Sequence, residues 1–99
     1  MDNNVIKKEV EPFLAALGTF IRQKRQALGM SQEELAHKAS LHRTYVSDIE
    51  RGARNLTVTT VVRMANSLHV PPSKLFRLVD DRVDANDPDV VAAHALLEH

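Results

Sequence analysis

The sequence predicts an all-α fold of five helices, and three observations carry that reading. Apolar residues recur at intervals of three and four in nearly every periodic segment, and nowhere do they alternate as a half-buried strand requires. Helix-opening and helix-closing residues punctuate the chain between those segments: Pro12, Ser31 and Thr57 open, Gly29 and Gly52 close. The chain has 99 residues, 43% of them apolar and only 4% aromatic, so it can build one small core, and that core must be aliphatic.

The first helix follows Glu11-Pro12, because proline is well placed in a first helical turn. Phe13, Leu17, Ile21 and Leu28 share its inner face, with Phe20 beside them, and Gly29 caps its end. Residues 5–10 add at most a preceding turn or helix. Ser31 and Glu34 form the Ser-x-x-Glu spacing of a capping box, which opens a second helix whose Leu35, Ala36 and Ala39 turn inward. Ser40-Leu41-His42 makes a turn. A third helix over about 43–50 places Tyr45, Val46 and Ile49 towards the core, and Gly52 stops it. Thr57 is an N-cap for a fourth helix near 58–68, with Val58, Val61, Val62, Ala65 and Leu68 as its apolar set. Pro71-Pro72 breaks the chain before a fifth helix carrying Leu75, Phe76, Leu78 and Val79. After a polar stretch from Asp80, Asp87-Pro88 can open an extra C-terminal helix through Val90, Val91 and Ala95.

Composition narrows the function classes. There is no cysteine, so neither a disulfide framework nor a thiolate metal site is available, which fits a reducing cytoplasm. No apolar run reaches the length of a membrane span and no signal peptide opens the chain. Histidines 37, 42, 69, 94 and 99 show no metal-binding spacing, and no acid–base set or phosphate-cradling glycine loop is visible. No metal, no cofactor and no catalysis are expected. The formal net charge is zero, but its distribution is uneven. Residues 18–64 carry a balance of +4, residues 65–99 one of −3 and residues 1–17 one of −1. A basic body with an acidic tail can offer one positive face to nucleic acid while the total vanishes.

Residues 32–51 hold the decisive pattern. Two short amphipathic helices are joined by a tight turn, with Leu35, Ala36, Ala39, Leu41, Val46 and Ile49 at the inward positions. Helices crossing at about 90–120° need a small residue where they touch, and Ala36 supplies it. The outer side of the second helix is left polar, as a helix bound for a DNA major groove requires. The segment LGTFIRQKRQALGMSQEELAHKASLHRTYVSDIERG resembles the Cro/cI-type (XRE) helix-turn-helix regulators. The marks are Ile21-Arg22, Arg25, Gly29 to Ala36, Ile49-Glu50-Arg51-Gly52, Ala65 to Val70 and Leu75-Phe76. RTYVSDIERG with Arg54-Asn55 is also similar to the controller proteins of restriction–modification systems. The resemblance spans about residues 17–78 and implies a five-helix, lambda-repressor-like domain. We place that domain at 11–79, with 80–99 an acidic extension ending in a tag remnant, Leu97-Glu98-His99.

Roles for single residues follow from position and from the resemblance. Arg43 can give two parallel donors to guanine O6 and N7, and Thr44 can bond a base edge or touch a thymine methyl. Ser47 can reach a base or a phosphate. Asp48 either accepts from a cytosine amino group or pairs with Arg51 or a nearby lysine. Gln32, at a helix N-terminus, faces a backbone phosphate if it is not simply surface polarity. Tyr45, Arg54, Asn55 and Thr57 flank the same backbone, with Tyr45 also suited to a half-buried core rim. The resemblance implies that Arg25 and Glu50 pair as a structural ion pair between the first and third helices. It further implies a cytoplasmic bacterial or phage regulator that binds double-stranded DNA at a palindromic operator as a homodimer. Leu75, Phe76, Leu78 and Val79 are the dimer candidates. The rival class is an antitoxin-like protein-interaction module on the same fold, whose acidic C-terminal region binds a protein partner. Two departures stand out: Ser40 occupies a turn position that favours glycine, and His42 precedes the third helix where Asp, Ser or Thr would cap better.

Overall fold

The computed structural model describes residues 3–84, with side chains from 10 to 83. Five helices follow one another, α1 (Asn3–Ala27), α2 (Gln32–Ala39), α3 (Arg43–Glu50), α4 (Val58–Ser67) and α5 (Pro72–Asp84), and no strand occurs among the described residues. α1 begins well before Pro12, which lies inside it rather than in its first turn. The residues expected to form a separate turn or helix instead continue the same one, and Pro12 costs the carbonyl four residues earlier its helical donor. The boundaries expected at 11 and 79 both fall within helices. The extra helix expected after Asp87 lies outside the described residues.

α1 and α5 lie side by side and, with α4, enclose the α2–α3 pair on its inner side. Leu17, Ile21, Leu35, Val46, Ile49, Met64, Leu68, Leu75 and Val79 are sealed at the centre. Each element contributes one stripe of the predicted 3.6-residue period. Two residues assigned to those stripes are corrected by the structure: Leu28 is 40% exposed and Val58 73% exposed. Leu28 lies beyond the last residue of α1, and Val58 is the first residue of α4. Periodicity assigns a face of a helix but not how far along the axis its neighbours reach.

The first four helices end alike. Met30 N–H donates to Arg25 O at 3.1 Å and Gly29 N–H to Gln26 O at 3.0 Å. The same crossed pair joins Leu41 to Ala36 and Ser40 to His37, Ala53 to Asp48 and Gly52 to Ile49, and Val70 to Ala65 and His69 to Asn66. These are Schellman closures, and each needs one left-handed residue. Glycine fills that place twice, but Ser40 (φ 57°) and His69 (φ 59°) fill it in the other two. An L-residue there costs roughly 1–2 kcal/mol. Ser40→Gly is therefore expected to raise stability by about 0.5–1 kcal/mol, net of the greater freedom glycine gives the unfolded chain. Urea unfolding checks this, and a loss of stability would contradict the strain at that turn.

Candidate nucleic-acid interface

α2 starts at a complete capping box. Ser31 Oγ accepts from Glu34 N–H at 3.0 Å, and the Glu34 carboxylate accepts from Ser31 N–H at 3.3 Å. The turn at Ser40 then redirects the chain, and half-buried Leu41 packs against the core at the corner. α3 has no side-chain cap at His42. Val46 and Ile49 are buried beneath it, which fixes its inner face.

Its far end is held by α1. A Cβ built on Gly18 would lie 2.4 Å from the Ile49 carbonyl oxygen and 2.6 Å from that of Glu50. Across the same contact a Cβ on Gly52, which has φ +69°, would lie 3.1 Å from Ala15 Cα. Backbone thus meets backbone where α1 crosses the end of α3, and no side chain fits between. Gly18 was not foreseen. Its signal was a glycine inside a strongly helical run, which usually marks close packing.

The expected ion pair joins the same two helices. Arg25 Nε donates to Glu50 Oε2 at 2.6 Å and Nη2 to Oε1 at 3.0 Å, while Nη1 donates to Met30 O at 2.8 Å. The two side chains are 11% and 4% exposed. Hydrogen bonding to Glu50 raises the Arg25 guanidinium above its ordinary range against the opposing effect of burial, so it stays charged. Gln32 joins this network, its Nε2 donating to Glu50 Oε1 at 3.2 Å. An amide nitrogen carries two hydrogens, so the bond orients Gln32 and engages only one of them.

The outward side of α3 is polar. Arg43 and Thr44 are exposed, and Ser47 and Asp48 are half-buried one turn on. Tyr45 is half-buried against the core, and the Arg54 guanidinium lies over its ring, 4.4 Å from the centroid. Both oxygens of Asp48 are already engaged: Oδ1 accepts from Arg51, and Oδ2 accepts from Arg54 Nη2 at 2.9 Å and Nε at 3.3 Å. The bonds from Arg54 first and Arg51 second hold its carboxyl below the usual carboxylate range. Of the two readings offered for Asp48, the structure supplies the ion pair, with Arg54 as an added partner. Asn55 is exposed, and the Thr57 hydroxyl caps α4 by accepting from Thr60 N–H at 3.1 Å.

The dimer candidates divide. Leu75 and Val79 are sealed in this protein's own core and are withdrawn from that role. Phe76 remains 38% exposed, stacked on Phe13 at 5.8 Å, and Leu78 is half-buried. Leu75 and Val79, one turn apart, share the inner face of α5, whereas Phe76, adjacent to Leu75, points off that face, so an apolar count alone could not separate the two sets.

The helix-turn-helix family profile matches residues 21–75. The chain belongs to the Cro/cI-type (XRE) helix-turn-helix family. It is 46% identical over 59 residues to control protein C.BamHI of Bacillus amyloliquefaciens, a match covering 59% of this chain and 73% of that one. Its fold is similar to that of the restriction-modification controller protein C.AhdI from Aeromonas hydrophila, with a TM-score of 0.60 and 39% identity over 63% of this chain and 94% of that one. It is also similar to C.Esp1396I, solved as a tetramer in complex with its natural 35 base-pair operator, with a TM-score of 0.66 and 35% identity over 72% of this chain and 93% of that one. In this helix-turn-helix chain the Arg25–Glu50 pair ties α1 to α3. Truncating Glu50 to alanine leaves Arg25 largely buried without its partner, so stability should fall by about 3–5 kcal/mol. Truncating exposed Glu33 should change it by no more than about 0.5 kcal/mol. Equal effects in denaturant unfolding would contradict the ion pair's role.

Proposed function

We propose that this chain is a sequence-specific DNA-binding transcriptional regulator of the controller type, acting without catalysis in the cytoplasm as a dimer on a palindromic operator. The observation that carries this reading is the polar stripe of α3. Arg43 and Thr44 stand exposed with Ser47 a turn behind, on a helix whose inner face is buried and whose far end is fixed by α1. A helix held in that way can enter a major groove without first being ordered, and Arg43 can reach a guanine edge. Gln32, Tyr45, Arg54, Asn55 and Thr57 surround the stripe where phosphates would pass, and such contacts set register.

One α3 reads only a few base pairs, so two copies on a two-fold site supply the remaining specificity. Phe76, Leu78 and Phe13 form the apolar surface for the second copy. The solved complex of C.Esp1396I with its operator supports operator binding by this chain too.

Selection of binding sites from a random duplex pool tests the reading. The wild type should yield a two-fold symmetric consensus, bound with affinity that falls steeply as salt rises. Arg43→Ala should cost about 1–3 kcal/mol and blur the consensus at one position per half-site. Gln32→Ala should weaken all sequences alike. An identical consensus for wild type and Arg43→Ala would overturn the assignment of Arg43.

A further inference from the structure

We propose that Asp48 is a specificity-determining residue of this interface: an internal counter-anion that withholds Arg51 and Arg54 from DNA phosphates until α3 is seated in a matching groove. The proposal rests on the DNA-binding reading above.

Three arginines lie on or just after the outer side of α3, and the structure treats them unequally. Arg51 and Arg54 both bond the Asp48 carboxylate. Arg43, the one placed to read a base, has no carboxylate partner among the described residues and stands exposed. The free cation is thus the one whose contact depends on sequence, and the engaged cations are those whose contacts would not. Arg54 is held twice, its Nε and Nη2 edge on Asp48 and its face on the Tyr45 ring.

Binding to arbitrary DNA is driven by cations that replace condensed counterions on phosphates. An arginine already sharing its charge with a carboxylate contributes less to that term. Asp48 also brings a negative charge to the groove-facing side, which penalises any docking that gains no base contact. Such a repulsive element raises specificity, because specificity is a difference between two affinities. The restraint is reversible. The arginine side chains are 66% and 45% exposed, and ion pairs so placed are weak enough for a well-positioned phosphate to displace or share them. Once base contacts hold α3 in place, the phosphates beside Arg51 and Arg54 are presented at fixed positions and the pairs can exchange.

Asp48→Asn in the full chain tests this, with Asp48→Ser as a second variant and circular dichroism to verify folding. Affinities for the selected operator duplex and for a random duplex are measured by fluorescence anisotropy across a salt series. The expected result is a severalfold gain on random DNA and a smaller gain on the operator, so that their ratio falls. The salt dependence on random DNA should steepen by about 0.9 for each phosphate contact released. In an Arg51→Gln, Arg54→Gln background the same Asp48 substitutions should have little effect, because no withheld cation remains. Unchanged affinity and slope on random DNA would overturn the proposal. An undiminished gain in the double-glutamine background would do the same, by showing simple loss of a repulsive charge. A wild type that prefers no duplex would overturn the DNA-binding reading itself, and a wild type with a clear consensus but unresponsive Asp48 variants would overturn only this inference.

Discussion

The presentation of α3 depends on one constraint, the close crossing of α1 over its C-terminal end. An eight-residue helix is too short to be stable alone, and α3 lacks a side-chain cap at its start. Its order must come from what it touches. Val46 and Ile49 hold its inner face by burial, which resists lifting but tolerates sliding. The contact of Gly18 with the Ile49 and Glu50 carbonyls resists sliding, because backbone cannot repack as side chains can. The Arg25–Glu50 pair then adds direction, two parallel bonds that only one orientation of the helix satisfies. Apolar contact, steric limit and charge each remove a different freedom.

The same network joins the two parts of the candidate interface. Glu50 accepts from Arg25 and from Gln32, so the residue that anchors α3 also orients a side chain at the start of α2. A group expected to meet the DNA backbone and a helix expected to read bases are therefore set by one carboxylate. Charge near α3 is arranged with similar economy. A carboxylate placed among arginines makes neutrality local there: Asp48 pairs with Arg51 and Arg54 while Arg43 stands exposed on the same helix.

Much of this was legible in the sequence because it is written in local spacing. The capping box at Ser31 and Glu34, the Thr57 cap and the stripes through Leu35, Val46, Ile49 and Val61 depend on residues a few positions apart, and each stands as read. The Arg25–Glu50 pair came from family resemblance, since nothing local links residues 25 apart in the chain. What stayed hidden depends on axial position or on distant backbone. Val58 and Leu28 have the right period at the wrong end of a helix. Leu75 and Val79 face the core while Phe76, on the same helix, faces outward. The role of Gly18 needs the path of α3, and Arg54 reaches Asp48 only because the loop after Gly52 folds back. His69 takes a left-handed turn that no residue preference announced.

The central claim is that α1 holds α3 in a preformed position from which Arg43 reaches base edges. A crystal structure of the chain bound to a duplex carrying its selected site tests it most directly. The account predicts α3 in the major groove, Arg43 within hydrogen-bond distance of a guanine, and the Gly18 contact and Arg25–Glu50 bonds unchanged from the free protein. An α3 turned relative to α1, or lying outside the groove with Arg43 on no base, would contradict it.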